Sequence, residues 1–349
     1  MKAEQRIYGF DLIRLIAFQA IIIFHCSWAI WLNPSGPPDP LPTPIWRFME
    51  VYARMFSFSG FVIVFMTSFL LGIKESDYRK KFWLPIFLLG GWLLFWFCTY
   101  LKEKDLFIFQ WDIYPFLVVG WLSGRWILNC QRKLRVAFAI LSVVLLCIPF
   151  WKIQSARQLP FWLGQILVGL CPEDYADWPI LPWIALIWLG MLVGHFMRAR
   201  KRVGQLFFAF YKVEYFIAGL MIPAFLSLRA RYFVTRLGDG WSCFTFRQEL
   251  WVFWTHMLFW MGLLRLSLHP VVQNTLAASK IVRMLSSLAI NRHFFLAYLG
   301  HYLLIFALIG LWDPQQTADN KLFLDSIVLL VLPLSEIFAR GTAGLFKRR

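Results

Sequence analysis

The sequence predicts an all-α protein of about ten transmembrane helices with both termini cytoplasmic, and three observations predict it. Of the 349 residues, 60% are hydrophobic and only 15% are charged, against about 45–50% and 25% in ordinary soluble domains. A spanning helix takes roughly 20 apolar residues, so this apolar stock fills about ten of them. The apolar runs are continuous rather than alternating, which points to helices instead of a barrel. Lysine and arginine recur in every second gap between the runs. The formal charge of +16 therefore reads as a topology signal and not as a nucleic-acid surface. Soluble globular, nucleic-acid-binding and disordered classes are excluded.

The expected spans are 8–32, 46–73, 83–101, 106–126, 136–153, 179–197, 205–226, 249–268, 293–312 and 321–340. The first is too long and too polar at its start for a cleaved leader, and no small-residue cleavage site follows it. Counting from a cytoplasmic N-terminus, the inner gaps hold Arg79, Lys80 and Lys81, then Arg132, Lys133 and Arg135, then Arg198, Arg200, Lys201 and Arg202, then Lys280, Arg283 and Arg292. The outer gaps 33–44, 171–178 and 313–320 are poor in basic residues. This is the positive-inside pattern. One outer gap disobeys, with Arg229, Arg231, Arg236 and Arg247 against Asp239. Either it meets something anionic outside, or segment 205–226, which contains Lys212 and Glu214, does not cross. Residues 1–349 read as a single membrane domain without an internal repeat. The six cysteines form no C-x-x-C pair and read as small hydrophobes, with a Cys171–Cys243 disulfide left open.

Ionisable groups at membrane depth are costly, so each is a functional candidate. Asp11, Arg14 and His25 stand in the first span. Arg14 and His25 are eleven residues apart, three helical turns and about 16 Å of rise on one stripe. Asp11 precedes Arg14 by three, the neighbour spacing of an ion pair. The expectation is that imidazole and guanidinium look into a common wet passage; the bland alternative is a packing histidine beside an interfacial salt bridge. Glu50 and Arg54 share a face with Arg47 in the second span, as acceptor-side candidates or as an internally satisfied charge ladder. His256 and His301 fall at membrane depth in a chain with six histidines. Alone, each would read as an interhelical hydrogen bonder; with His25 they suggest a shared polar cavity. There is no zinc signature, Walker loop, dinucleotide fingerprint or G-x-S-x-G elbow, so no metal is expected.

Gly9, Asp11, Arg14 and His25 form a G-x-D-x-x-R context with an R-x10-H spacing. Phe56-Ser57-Phe58-Ser59-Gly60-Phe61, the basic run Arg79-Lys80-Lys81 before Pro85, and Tyr298-Leu299-Gly300-His301 follow in order. These elements resemble the acyltransferase-3 family of integral-membrane acyltransferases, which usually has arginine where Lys80 and Lys81 stand. The segment Asp174–Trp183, followed by Gly190-Met191-Leu192-Val193-Gly194, is similar instead to heparan-α-glucosaminide N-acetyltransferase-like proteins, although Leu15 occupies the position of their glycine.

Both resemblances imply acyl transfer, usually of acetyl, from cytoplasmic acetyl-CoA or another acyl-CoA to an extracytoplasmic glycan. The first favours O-acetylation of a hydroxyl in a bacterial inner membrane; the alternatives are N-acetylation of the glucosaminide type, or a secondary transporter of glycan precursors. On this reading His25 is the base or the acyl carrier, Arg14 held by Asp11 grips the donor, and His301 lies in the same cavity. Arg79, Lys80, Lys81, Arg198 and Arg200 meet the donor phosphates, or serve only as topology determinants. The expected partners are the bilayer, the acyl-CoA and a glycan, with no nucleic acid.

Overall fold

The computed structural model describes residues 7–31, 59–73, 113–148, 160–168, 179–199, 269–310 and 321–347, with isolated positions between them. The regular elements among these residues are helices. By contact the chain divides into two compact units, one of Met1–Gly60 with Met261–Arg349 and the other of Phe61–Trp260.

In the central unit, α2 (Ser59–Ile73), α3 (Ile113–Asn129), α4 (Arg132–Leu146), α5 (Phe161–Val168) and α6 (Ile180–Ala199) assemble around α6. Small residues set the spacing. Gly72 on α2 lies against the Met191 backbone of α6, and Gly190 on α6 lies against the Phe65 carbonyl of α2. Gly120 and Gly124 of α3 form a G-x-x-x-G face that receives Ile187 and Met191 of α6. Close approach of this kind is the packing that helices use where lipid surrounds them. Polar bonds sit in the same seams: Trp188 Nε1 donates to Ser123 Oγ at 2.8 Å, and Trp121 Nε1 to Ser68 Oγ at 3.4 Å. At the α3–α4 corner Arg135 Nη1 donates to the Leu128 carbonyl at 3.0 Å, a cation on the carbonyl end of α3.

The other unit joins α1 (Tyr8–Trp31) to α7 (Pro270–Ala278), α8 (Lys280–Ser287), α9 (Ala289–Arg292), α10 (Phe294–Gly310) and α11 (Lys321–Lys347). His269 caps α7, its Nδ1 accepting from Val271 N at 3.1 Å with Pro270 in the first turn, and Ser279 caps α8, accepting from Val282 N at 3.4 Å. Such side-chain caps satisfy amides that a short helix leaves open. α1 packs on α10 and α11, and its apolar residues Phe10, Ala17, Phe18, Ile22 and Ile23 are all buried.

The described helices depart from the expected spans. Among the described residues no helix is long and apolar enough to cross a membrane. α2 and α4 have 15 residues and α3 and α10 have 17, short of the roughly 20 a span needs. α11 has 27 but carries Glu336 and Arg340 within it. The gap expected between residues 268 and 293 contains three short helices. The expected spans 83–101, 205–226 and 249–268 lie wholly or mostly outside the described residues, as do Cys171 and Cys243.

Candidate functional site

α1 and α10 run in the same direction, because residues ascending one helix meet residues ascending the other. Arg14 Nη1 donates to the Asn291 carbonyl at 2.7 Å, just before α10 begins. Phe18 comes next, its ring edge-on to Phe294 and His301 at 5.4 Å each. At the top rung His25 meets His301 and Tyr302. The sequence periodicity places Arg14, Phe18 and His25 on one stripe of α1, and α10 lies along that stripe.

The His25–His301 contact is the centre of the site. His25 Nδ1 and His301 Nε2 are 2.8 Å apart, with the rings stacked at 13° and centroids 5.1 Å apart. The Tyr302 hydroxyl is 3.1 Å from His25 Nε2. The outer nitrogen of His301, Nδ1, is buried with no hydrogen-bond partner among the described residues. Two tautomer assignments fit the contacts: with the proton on His25 Nδ1 that ring donates to His301 Nε2 and accepts from the Tyr302 hydroxyl, and with the proton on His301 Nε2 both bonds reverse.

The two histidines differ in access. His301 has no exposed surface, whereas His25 is partly exposed. His25 is the more accessible of the two rings, and His301 lies behind it. Tyr298 completes the aromatic wall, 4.7 Å from His301 and 6.3 Å from His25 between ring centroids.

Not every expected site residue gathers here. Asp11 is buried one turn before Arg14. Arg14 is buried too, and its bond to Asn291 ties it to the foot of α10. Among the described residues, the stripe between Arg14 and His25, expected to face a wet passage, is occupied by fully buried Phe18, packed with Phe294 and Tyr298. Helical spacing established that Arg14 and His25 share a face but not what stands between them. Arg79, Lys80, Lys81, Arg200, Glu50, Arg54 and His256 lie outside the described residues, and Arg198 falls in α6 with its side chain outside them.

Two polar residues escaped the sequence reading. Tyr302 follows His301 directly and looked like one more aromatic of an apolar run. Glu336, buried in α11, accepts from Ala289 N at 2.7 Å and from Ile290 N at 2.9 Å. An ionisable residue inside the apolar run 321–340, four before Arg340, was its signal.

Among the described residues, whose regular elements are helices, an imidazole pair backed by a phenol is held in the seam of two parallel ones. A family model described as heparan-alpha-glucosaminide N-acetyltransferase, catalytic, matches residues 6–220, which is more than half of the chain. The chain belongs to this family, the second of the two that its sequence resembles, and it is an acetyltransferase. No curated protein and no solved structure matches it. The matched segment contains Asp11, Arg14 and His25 but neither His301 nor Tyr302, so the pair at the centre of the site is completed from outside it.

Proposed function

We propose that this acetyltransferase moves the acetyl group of cytoplasmic acetyl-CoA to the amine of a glucosamine-type residue in a glycan on the far side of a membrane. The hydroxyl acceptor favoured from sequence gives way to an amine because the matched family is described by N-acetylation. The observation that carries the reading is the 2.8 Å His25–His301 contact with Tyr302 on the other ring nitrogen.

In the proposed step the acceptor nitrogen attacks the thioester carbonyl carbon, the C–N bond forms and the C–S bond breaks. The amine proton passes to His25 Nε2, directly or through the Tyr302 hydroxyl, and then to the departing thiolate, so that CoA leaves as the thiol. With the proton on His25 Nδ1, His301 accepts from it throughout and fixes the ring. A positioned base of this kind contributes about 10²–10⁴-fold.

The proposed setting is a bacterial inner membrane, and membrane residence with about ten crossings and cytoplasmic termini is supported by three features. Basic residues alternate between the gaps. Glycines line the α2–α6 and α3–α6 seams. Leu134, Ile140, Val143 and Val144 of α4 and Leu122 and Trp126 of α3 are exposed, an apolar surface suited to lipid. Arg79, Lys80, Lys81, Arg198 and Arg200 are the proposed partners of the donor phosphates.

The test is purified protein in liposomes, supplied with acetyl-labelled acetyl-CoA and a glucosamine-terminated oligosaccharide. Release of free CoA with alkali-stable label on the sugar is expected, since an amide survives where an ester does not. Alkali-labile label would move the acceptor to a hydroxyl. Absence of CoA release with every amino sugar tried would overturn the reading.

A further inference from the structure

We propose that Arg14 and Glu336 are positioning residues: they grip α9 from its two ends and so hold His301 in register with His25, an inference that rests on reading those histidines as the reacting pair. α9 has four residues, and its N-cap, Leu288, offers no side-chain hydrogen bond. A single turn does not hold itself together in water or in a core. Its opening amides are instead satisfied from α11, where Glu336 Oε1 accepts from Ala289 N at 2.7 Å and Oε2 from Ile290 N at 2.9 Å. Its far end is satisfied from α1, where Arg14 Nη1 donates to the Asn291 carbonyl at 2.7 Å. The charges match the ends: a carboxylate meets amides and a guanidinium meets a carbonyl, the favourable sense at each terminus of a helix. Asn291 Nδ2 adds a bond to the Leu285 carbonyl at 3.1 Å, and Arg340 Nε, four residues beyond Glu336, donates to Oε1 at 2.6 Å.

The consequence reaches the site through helix geometry. After His293 (φ −130°, ψ 48°) the chain enters α10, and His301 follows two turns later. The lower rung pairs Arg14 with Asn291 and the upper pairs His25 with His301, eleven residues up one helix and ten up the other. A slip of one residue at the lower rung turns α10 by about 100° and separates the imidazoles. The Phe18 layer lies between Arg14 and His25, so Arg14 acts through α10 and not on the reacting atoms.

Glu336→Gln, Arg14→Ala and Arg14→Lys, each in the full-length chain in liposomes, separate this role from others. For Glu336→Gln and Arg14→Ala we expect kcat to fall at least tenfold, with KM for acetyl-CoA within twofold of the parent. Arg14→Lys, which keeps a cationic donor, should recover at least threefold over Arg14→Ala. Nitrogen-15 NMR of labelled imidazoles provides a readout that needs no turnover. The signals of His25 Nδ1 and His301 Nε2 should lose their hydrogen-bonded character in Glu336→Gln, and the unfolding midpoint of each folded variant is compared with that of the parent. If Glu336→Gln does not fold, Glu336→Asp takes its place. A rise in KM with kcat retained would overturn the proposal by making Arg14 a donor ligand, as would unchanged kcat together with unchanged imidazole signals. If the parent transfers no acetyl group while the variant still loses its imidazole signature, the acetyl-transfer reading falls and the clamp stands.

Discussion

His25 has both ring nitrogens engaged, Nδ1 by His301 and Nε2 by Tyr302, and that double engagement is what makes its substitutions separable. His25→Ala removes the base, and acetyl transfer should drop by about 10²–10⁴-fold in protein that still folds; steady-state CoA release measures it. His301→Phe keeps the aromatic volume but removes the hydrogen-bond partner of His25 Nδ1. That substitution should cost about 1–3 kcal/mol in unfolding free energy as well as activity, whereas His301→Gln, which retains an acceptor, should lose less of both; unfolding in detergent checks the first and CoA release the second. At this scale the sequence revealed His25 and His301 because imidazoles are rare in an apolar run and costly to bury. It did not reveal Tyr302, since a tyrosine among phenylalanines carries no such cost until its hydroxyl is seen beside a ring nitrogen. Nor did it reveal the bond from Arg14 to the Asn291 carbonyl, because a backbone carbonyl from a residue 277 positions away leaves no mark on local spacing.

Among the helices, α6 is the one on which the central unit is built, and glycine is what lets its neighbours close on it. A side chain at Gly190 would run into the Phe65 carbonyl, while Gly341 in α11 has open space around it among the described residues. Gly190→Val should therefore destabilise by about 1–3 kcal/mol through overpacking. Gly341→Ala should be neutral or stabilising by up to about 1 kcal/mol, because alanine is the better helix former. Thermal midpoints of the two variants check both signs. Several helices were legible in advance: the expected 8–32, 179–197 and 293–312 correspond to α1 (Tyr8–Trp31), α6 (Ile180–Ala199) and α10 (Phe294–Gly310). α7, α8 and α9 were not. They are short and mixed in polarity, and two of them are held by caps at His269 and Ser279, so a search for long apolar runs passed over them as a basic gap.

For the whole molecule, the alternation of basic gaps makes a topological prediction that is independent of the chemistry. With the native cysteines replaced, Lys133→Cys at the exposed α3–α4 corner should react with a membrane-impermeant thiol reagent only from the cytoplasmic side, and Asp313→Cys only from the other. Labelling of both from one side would refute the ten-span, cytoplasmic-termini arrangement. The sequence by itself determined the helical class, two candidate families of which the second is the one that matches, and the presence of His25 and His301 as candidates, because composition, apolar run length and rare buried ionisable groups are properties of the chain read in order. Only the tertiary structure decided that these two imidazoles touch, that Phe18 stands between Arg14 and His25, and that Glu336 and Arg14 meet the same short helix. Those are matters of register between elements hundreds of residues apart, set by how side chains pack across a seam.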